Sequence, residues 1–206
     1  LSSLRSSSNL PTPKRAQAVL NFWFDDPSDP DSEYGQQRKI WFKKDPKFDE
    51  LVRRRFESDY ENARAGELNA WMQSPRSGLA LILLLDQIPR NIFRGSPRSF
   101  ATDPQALAVA RHGIDHRWDG SLIPVERVFL YLPFEHSENF ADQNTSLQLF
   151  QSLVQDHPEL KTTLEYAEKH RHVIQRFGRF PHRNAVLHRQ TTPEEAEFLK
   201  QPGSGF

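Results

Sequence analysis

The sequence predicts an all-α protein, and three observations carry that prediction. A capping residue followed by proline recurs ahead of apolar residues spaced by three and four, as an amphipathic helix requires. No stretch alternates apolar and polar residues between hairpin turns, the pattern of a strand. The 206 residues are only 36% hydrophobic, but 15 Phe, 4 Trp and 4 Tyr are bulky enough to fill a core.

Thr12-Pro13 opens the first helix, because proline fits the first helical position and loses no needed hydrogen bond there. Ala16, Val19, Leu20, Trp23 and Phe24 form its apolar stripe. Asp45-Pro46 opens the second, with Phe48, Leu51, Val52, Phe56 and Tyr60 on one face and Gly66 as its stop. A short turn over Glu67 to Met72 leads to Ser74-Pro75 and the most apolar helix of the chain. Leu79 to Leu85 runs there without a polar residue, so this helix is expected to be buried on all sides. It should end at Ile88, since Pro89 disfavours helical geometry in the residue before it. Asp103-Pro104 opens a helix over 104–117, and others follow over 124–132, 138–156, 159–177 and 193–200. Ser137 reads as the cap of the third of these, with Glu138 beside its positive end, and Thr192 with Glu195 reads as a capping box for the last. The aromatic run Phe22-Trp23-Phe24, with Trp41-Phe42, is expected to pack between the first helices. Residues 1–11 read as a disordered leader and 12–206 as one all-α domain, divisible into helical halves at about 12–100 and 101–206.

Composition excludes several classes of function. There is no Cys, hence no disulfide scaffold, thiolate metal site or thiol nucleophile. The 27 Lys and Arg balance 27 Asp and Glu, which disfavours nucleic acid as a general partner. The longest apolar run is far short of the roughly 20 residues that cross a bilayer, so a soluble, cytoplasmic protein without membrane contact is expected. The first nine residues hold five Ser and Arg5 with no acid, which leaves an organellar address open, and the chain begins with Leu, so its natural start is expected upstream. No Gly-rich nucleotide motif and no nucleophile elbow occur.

Three segments break the helical rhythm and are dense in charge: LDQIPRNIFRG (Leu85 to Gly95), LPFEHSE (Leu132 to Glu138) and RFGRFPHRN (Arg176 to Asn184). Loops on a rigid scaffold are where function concentrates. At these segments, and at VLNFWF, FATD (Phe100 to Asp103), ERVFLYLPFEHSE and the closing PGSGF, the chain resembles a mainly bacterial family, domain of unknown function 924, grouped with tetratricopeptide-like proteins. The likeness runs from about Ala18 to Phe206. It implies an antiparallel helical bundle, an α-α superhelix around a groove, and it implies no activity. His188 departs from the family pattern, which favours Gly before Arg189.

Charge is distributed unevenly. Val128 to Leu160 carries Glu135, Glu138, Asp142, Asp156 and Glu159 with no Lys or Arg, whereas Arg171 to Arg189 carries five Arg and three His with no acid. One reading makes these internal ion pairs. The other leaves two or three arginines unpaired in a cleft, where Arg90, Asn91 and Arg94 position a small anion or an acidic peptide end and Arg179, His182 and Arg183 close over it, with Asp86, Arg176 and Asn184 also among the binding residues. Asp86, ending the most apolar helix, needs a partner, and Arg90 one turn on is the nearest candidate. Glu135, His136 and His182 are the candidate acid–base groups of an alternative, enzymatic reading on an anionic substrate; stacking on RNA is a third reading. His112 with His116, Glu168 with His172, and Glu135, His136 and His182 offer ligand sets, but without HExxH or paired ExxH motifs no metal is expected, nor any cofactor.

Overall fold

The computed structural model describes residues 11–205, and within them the chain is helical with no strand. Apart from Pro11, the expected leader lies outside the described residues. Helix α1 (Lys14–Phe24) buries the stripe read from its spacing, Ala16, Val19, Leu20, Trp23 and Phe24. Pro13 rather than Thr12 occupies its N-cap position, and no side chain caps it. Asp45 does cap α2 (Pro46–Arg64), accepting from Lys47 N at 2.9 Å and Phe48 N at 3.2 Å, and Gly66 leaves the helix at φ +83°. Trp23, Phe24 and Trp41 meet Phe129 edge to face in the main core, whereas Phe42 is 68% exposed and does not join it fully.

Ser74 caps α3 (Pro75–Ile82), but the helix does not stop at Ile88. A π-helical turn over Leu83–Gln87 carries it into α4 (Ile88–Ile92), through Pro89. The reason is local accounting. Pro89 has no N–H for the Leu85 carbonyl four residues back, and Thr102 Oγ1 donates to that carbonyl instead, at 2.5 Å. A carbonyl that residue 89 cannot serve thereby gains a donor from outside the helix. The consequence is positional: Asp86 and Arg90 lie on one continuous, buried rod.

Helix α5 (Asp103–Asp115) begins one residue before the expected Pro104, with Thr102 at the cap position and no capping hydrogen bond. Asp103 is therefore free of the capping role and engages Arg90. Helix α6 (Pro124–Glu135) also runs through a proline, Pro133. Asn139, not Ser137, caps α7 (Phe140–Asp156), accepting from Ala141 N at 2.8 Å, because the Ser137 hydroxyl donates to Asp142 at 2.7 Å. Helix α8 (Lys161–Phe177) ends at Gly178, φ +68°, and α9 (Pro193–Leu199) has the expected box between Thr192 and Glu195. Val173, Ile174 and Phe180 form a second, small core with Phe177 and Phe198 beneath the C-terminal segment. Among the described residues no helix is long and apolar enough to cross a membrane.

Candidate functional site

Asp86 is 0% exposed, on the π turn of the most apolar helix. A lone buried carboxylate is costly, and this one is surrounded by donors. His136 Nδ1 lies 2.7 Å from Oδ1, Gln87 Nε2 donates to Oδ2 at 2.6 Å, and Arg90 Nη1 stands 3.3 Å from Oδ1. Burial pushes the carboxyl up, yet the charge of Arg90, with the hydrogen bonds from His136 and Gln87, outweighs it and holds Asp86 below the usual range. Arg90 then spans to Asp103 with two bonds of 2.9 and 3.0 Å.

His136 follows the C-terminal end of α6. Burial lowers its pKa first, the Arg90 charge lowers it further, and Asp86 opposes both without reversing them. The ring is therefore neutral near pH 7, with Nδ1–H donated to Asp86 and Nε2 carrying the lone pair. His136 lines a cleft of about 330 Å³ together with Phe100, Asp103, Leu107, Arg183 and Leu187.

Arg183, on the short 3-10 turn Pro181–Arg183, is the buried cation of that cleft. Its Cζ sits over the rings of Phe100 at 4.6 Å and Phe180 at 4.5 Å. Nη2 donates to the His136 carbonyl at 3.1 Å and Nη1 reaches Asp103 at only 3.4 Å, while Nε is buried without an acceptor. Burial brings its pKa down to about 10, still protonated at neutral pH. A guanidinium has five N–H donors, so Arg183 keeps one hydrogen uncommitted on each terminal nitrogen.

Three of the other arginines of the basic stretch are spoken for by acids outside it. Arg176 pairs with Glu194 at 2.9 Å and Arg179 with Glu195 at 2.6 Å, while Arg189 pairs with Glu138 at 2.8 Å. Asn184 also donates to Glu195, at 3.1 Å, and Asn91 and Arg94 both donate to Asp49 on α2, at 2.8 Å each. The expected surplus of two or three unpaired arginines is thus corrected: Arg171 is the one member of that stretch without a carboxylate partner among the described residues, and it donates to Asn144 at 2.7 Å. Of the residues read as an anion cradle, Asp86, Arg90 and Arg183 gather around His136, while Asn91, Arg94, Arg176, Arg179 and Asn184 are held elsewhere.

The acid–base reading changes in its partners. Neither flanking carboxylate holds His136: Glu138 serves Arg189, and Glu135 lies 3.1 Å from His170 Nδ1. Burial, then the Asp86 charge, pushes Glu135 up to about 8. His182 is pushed down to about 4 by burial and the Arg183 charge, and its ring lies 5.6 Å from that of Phe180. Among the described residues no group of three His, Asp or Glu side chains has metal-binding geometry, so Glu135, His136 and His182 do not form the ligand set considered. Sequence reasoning missed Asp103, Phe100 and His170 as neighbours of the site. FATD was legible as a motif, but Asp103 was absorbed into a capping pattern.

The model of a bacterial protein family of unknown function, DUF924, matches residues 19–203. A solved structure of a protein of unknown function from Agrobacterium tumefaciens is similar over 91% of this chain and 97% of its own, at 40% identity and a TM-score of 0.78. No curated protein matches the chain.

Proposed function

The chain belongs to the DUF924 family of bacterial proteins, and from that premise, which lends no activity, we propose that its cleft binds a small organic anion and that His136 moves a proton to or from it. Arg183 takes the anionic group. Asp86 is the positioning residue: its buried carboxylate fixes the Nδ1–H tautomer and so presents Nε2 as the base. The observation that carries this reading is the 2.7 Å contact between a fully buried Asp86 and a His136 that lines a cavity. A structural ion pair would satisfy Asp86 equally well, but it would not require the ring to border a cavity that holds an under-used arginine.

Imidazole NMR on the whole chain tests the proposal, with acetate as the probe. His136 is expected to titrate below the ordinary histidine value in the free protein, as the Nδ1–H tautomer. Acetate should raise that value, because an anion beside the ring favours its protonated form. Asp86→Asn should abolish the tautomer preference, and Arg183→Lys should weaken the acetate response. A His136 signal indifferent to acetate at all attainable concentrations would sink the proposal.

A further inference from the structure

The cleft carries no surplus of positive charge: Asp103, Glu138 and Arg183 line it, and Asp86, Arg90 and Arg189 join the same ion pairs behind the wall. A polyanion entering it finds no surplus positive potential to offset its own desolvation, and it meets the carboxylates of Asp103 and Glu138 in the walls. Most of the remaining wall is carbon. Phe100, Leu107, Pro133 and Leu187 line it beside Arg183 and His136. The guanidinium itself lies against two phenyl rings, so it offers a ligand its edge, which is the geometry of planar carboxylate recognition. At about 330 Å³ the space is at the small end of ligand pockets.

We infer that the ligand is an amphiphilic monocarboxylate, one carboxylate on a compact apolar body, and that inorganic phosphate and polycarboxylates are excluded; the inference rests on the proposed reading of the cleft. The carboxylate meets the uncommitted hydrogens on the two terminal nitrogens of Arg183, close to His136. The apolar body covers Leu107, Leu187 and the outer part of Phe100, and removing that surface from water supplies the affinity that a neutral electrostatic site does not.

Titration calorimetry of the whole chain with acetate, benzoate, hexanoate, phosphate and citrate tests it. Benzoate and hexanoate are expected to bind at least about tenfold more tightly than acetate, as burial of a few apolar carbons gives, and phosphate and citrate are expected to give no heat. Leu107→Ser and Leu187→Ser alter half-buried side chains that line the cleft. Each should bring benzoate down toward the acetate affinity while leaving the acetate-induced change at His136 in place. Should benzoate bind no better than acetate, or phosphate bind as well as benzoate, while acetate still moves the His136 signal, the amphiphile inference falls and the proton-transfer reading stands. Should none of the carboxylates move His136, both fall.

Discussion

His188 holds its backbone at φ +54°, in the left-handed region that glycine enters freely and other residues enter at a cost. A Cβ is thus carried at a position whose backbone suits glycine better. What the turn does is local. Arg189 N closes on Asn184 O at 2.8 Å, and the Arg189 guanidinium is delivered to Glu138 and to the Phe180 carbonyl, each at 2.8 Å. His188→Gly is expected to raise stability by up to about 1 kcal/mol, the left-handed penalty of about 1–2 kcal/mol being partly offset by the entropy of glycine in the unfolded chain. His188→Val should instead destabilise by about 1 kcal/mol, since a β-branched side chain suits that region least. Urea denaturation of both variants checks the pair, and a destabilised glycine variant would show that the imidazole makes a contact that matters. A second residue-scale lesson concerns His136. Its flanking Glu135 and Glu138 are visible in the sequence, yet its partner is Asp86, 50 residues away, and only tertiary packing brings the two together.

Where elements start is legible when the cause is local, as at Asp45, Ser74 and Thr192, whose side chains reach their own helix's first amides. Where a helix continues depends on what lies across from it, and that is why the run through Pro89 escapes a sequence reading. The exchange of a missing N–H for the Thr102 hydroxyl can be measured as a double-mutant cycle. Thr102→Val should cost about 1 kcal/mol, because it removes the hydroxyl that donates to the buried Leu85 carbonyl. In a Pro89→Ala background, where residue 89 regains an N–H, the same substitution should cost about half as much or less. Additive costs would mean that the two donors do not compete for one carbonyl. Packing between α3 and α5 makes a separate demand. A Cβ on Gly78 would lie 2.2 Å from two ring carbons of Trp118, and one on Gly113 would lie 2.5 Å from Trp118 and 2.9 Å from Leu130. Gly78→Ala is expected to destabilise by about 2–3 kcal/mol despite alanine's better helix propensity, and Trp118→Phe should relieve part of that cost. Thermal denaturation of the single and double variants reads this out.

At the scale of the whole molecule, the uneven charge along the chain was legible but its meaning was not. A window from Arg171 to Arg189 counts no acid, while the fold draws Asp103, Glu138, Glu194 and Glu195 to it from three other places. The titratable groups left buried by that arrangement set how stability responds to pH. Glu135 is pushed up from 4.5 to about 8 by burial and then by the Asp86 charge. Between those values the folded chain keeps a proton that the unfolded chain has released, so stability falls as pH rises, by at most about 1.4 kcal/mol per pH unit. The histidines act in the opposite sense. His136 is lowered from 6.5, His170 is pushed down to about 3 and His182 to about 4, each first by burial. Below 6.5 the unfolded chain takes up protons that these folded rings refuse, so stability falls as pH drops. Three rings work on the acid side against one carboxyl on the alkaline side, and the acid limb is therefore the steeper. Urea denaturation across about pH 4 to 9 should show a stability maximum close to pH 6.5. Glu135→Gln should flatten the limb between 6.5 and 8 and steepen the acid limb between about 4.5 and 6.5, since the amide cannot titrate and no longer opposes the histidines there. An alkaline limb that persists in this variant would place the buried proton on some other group and detach Glu135 from the network around Asp86.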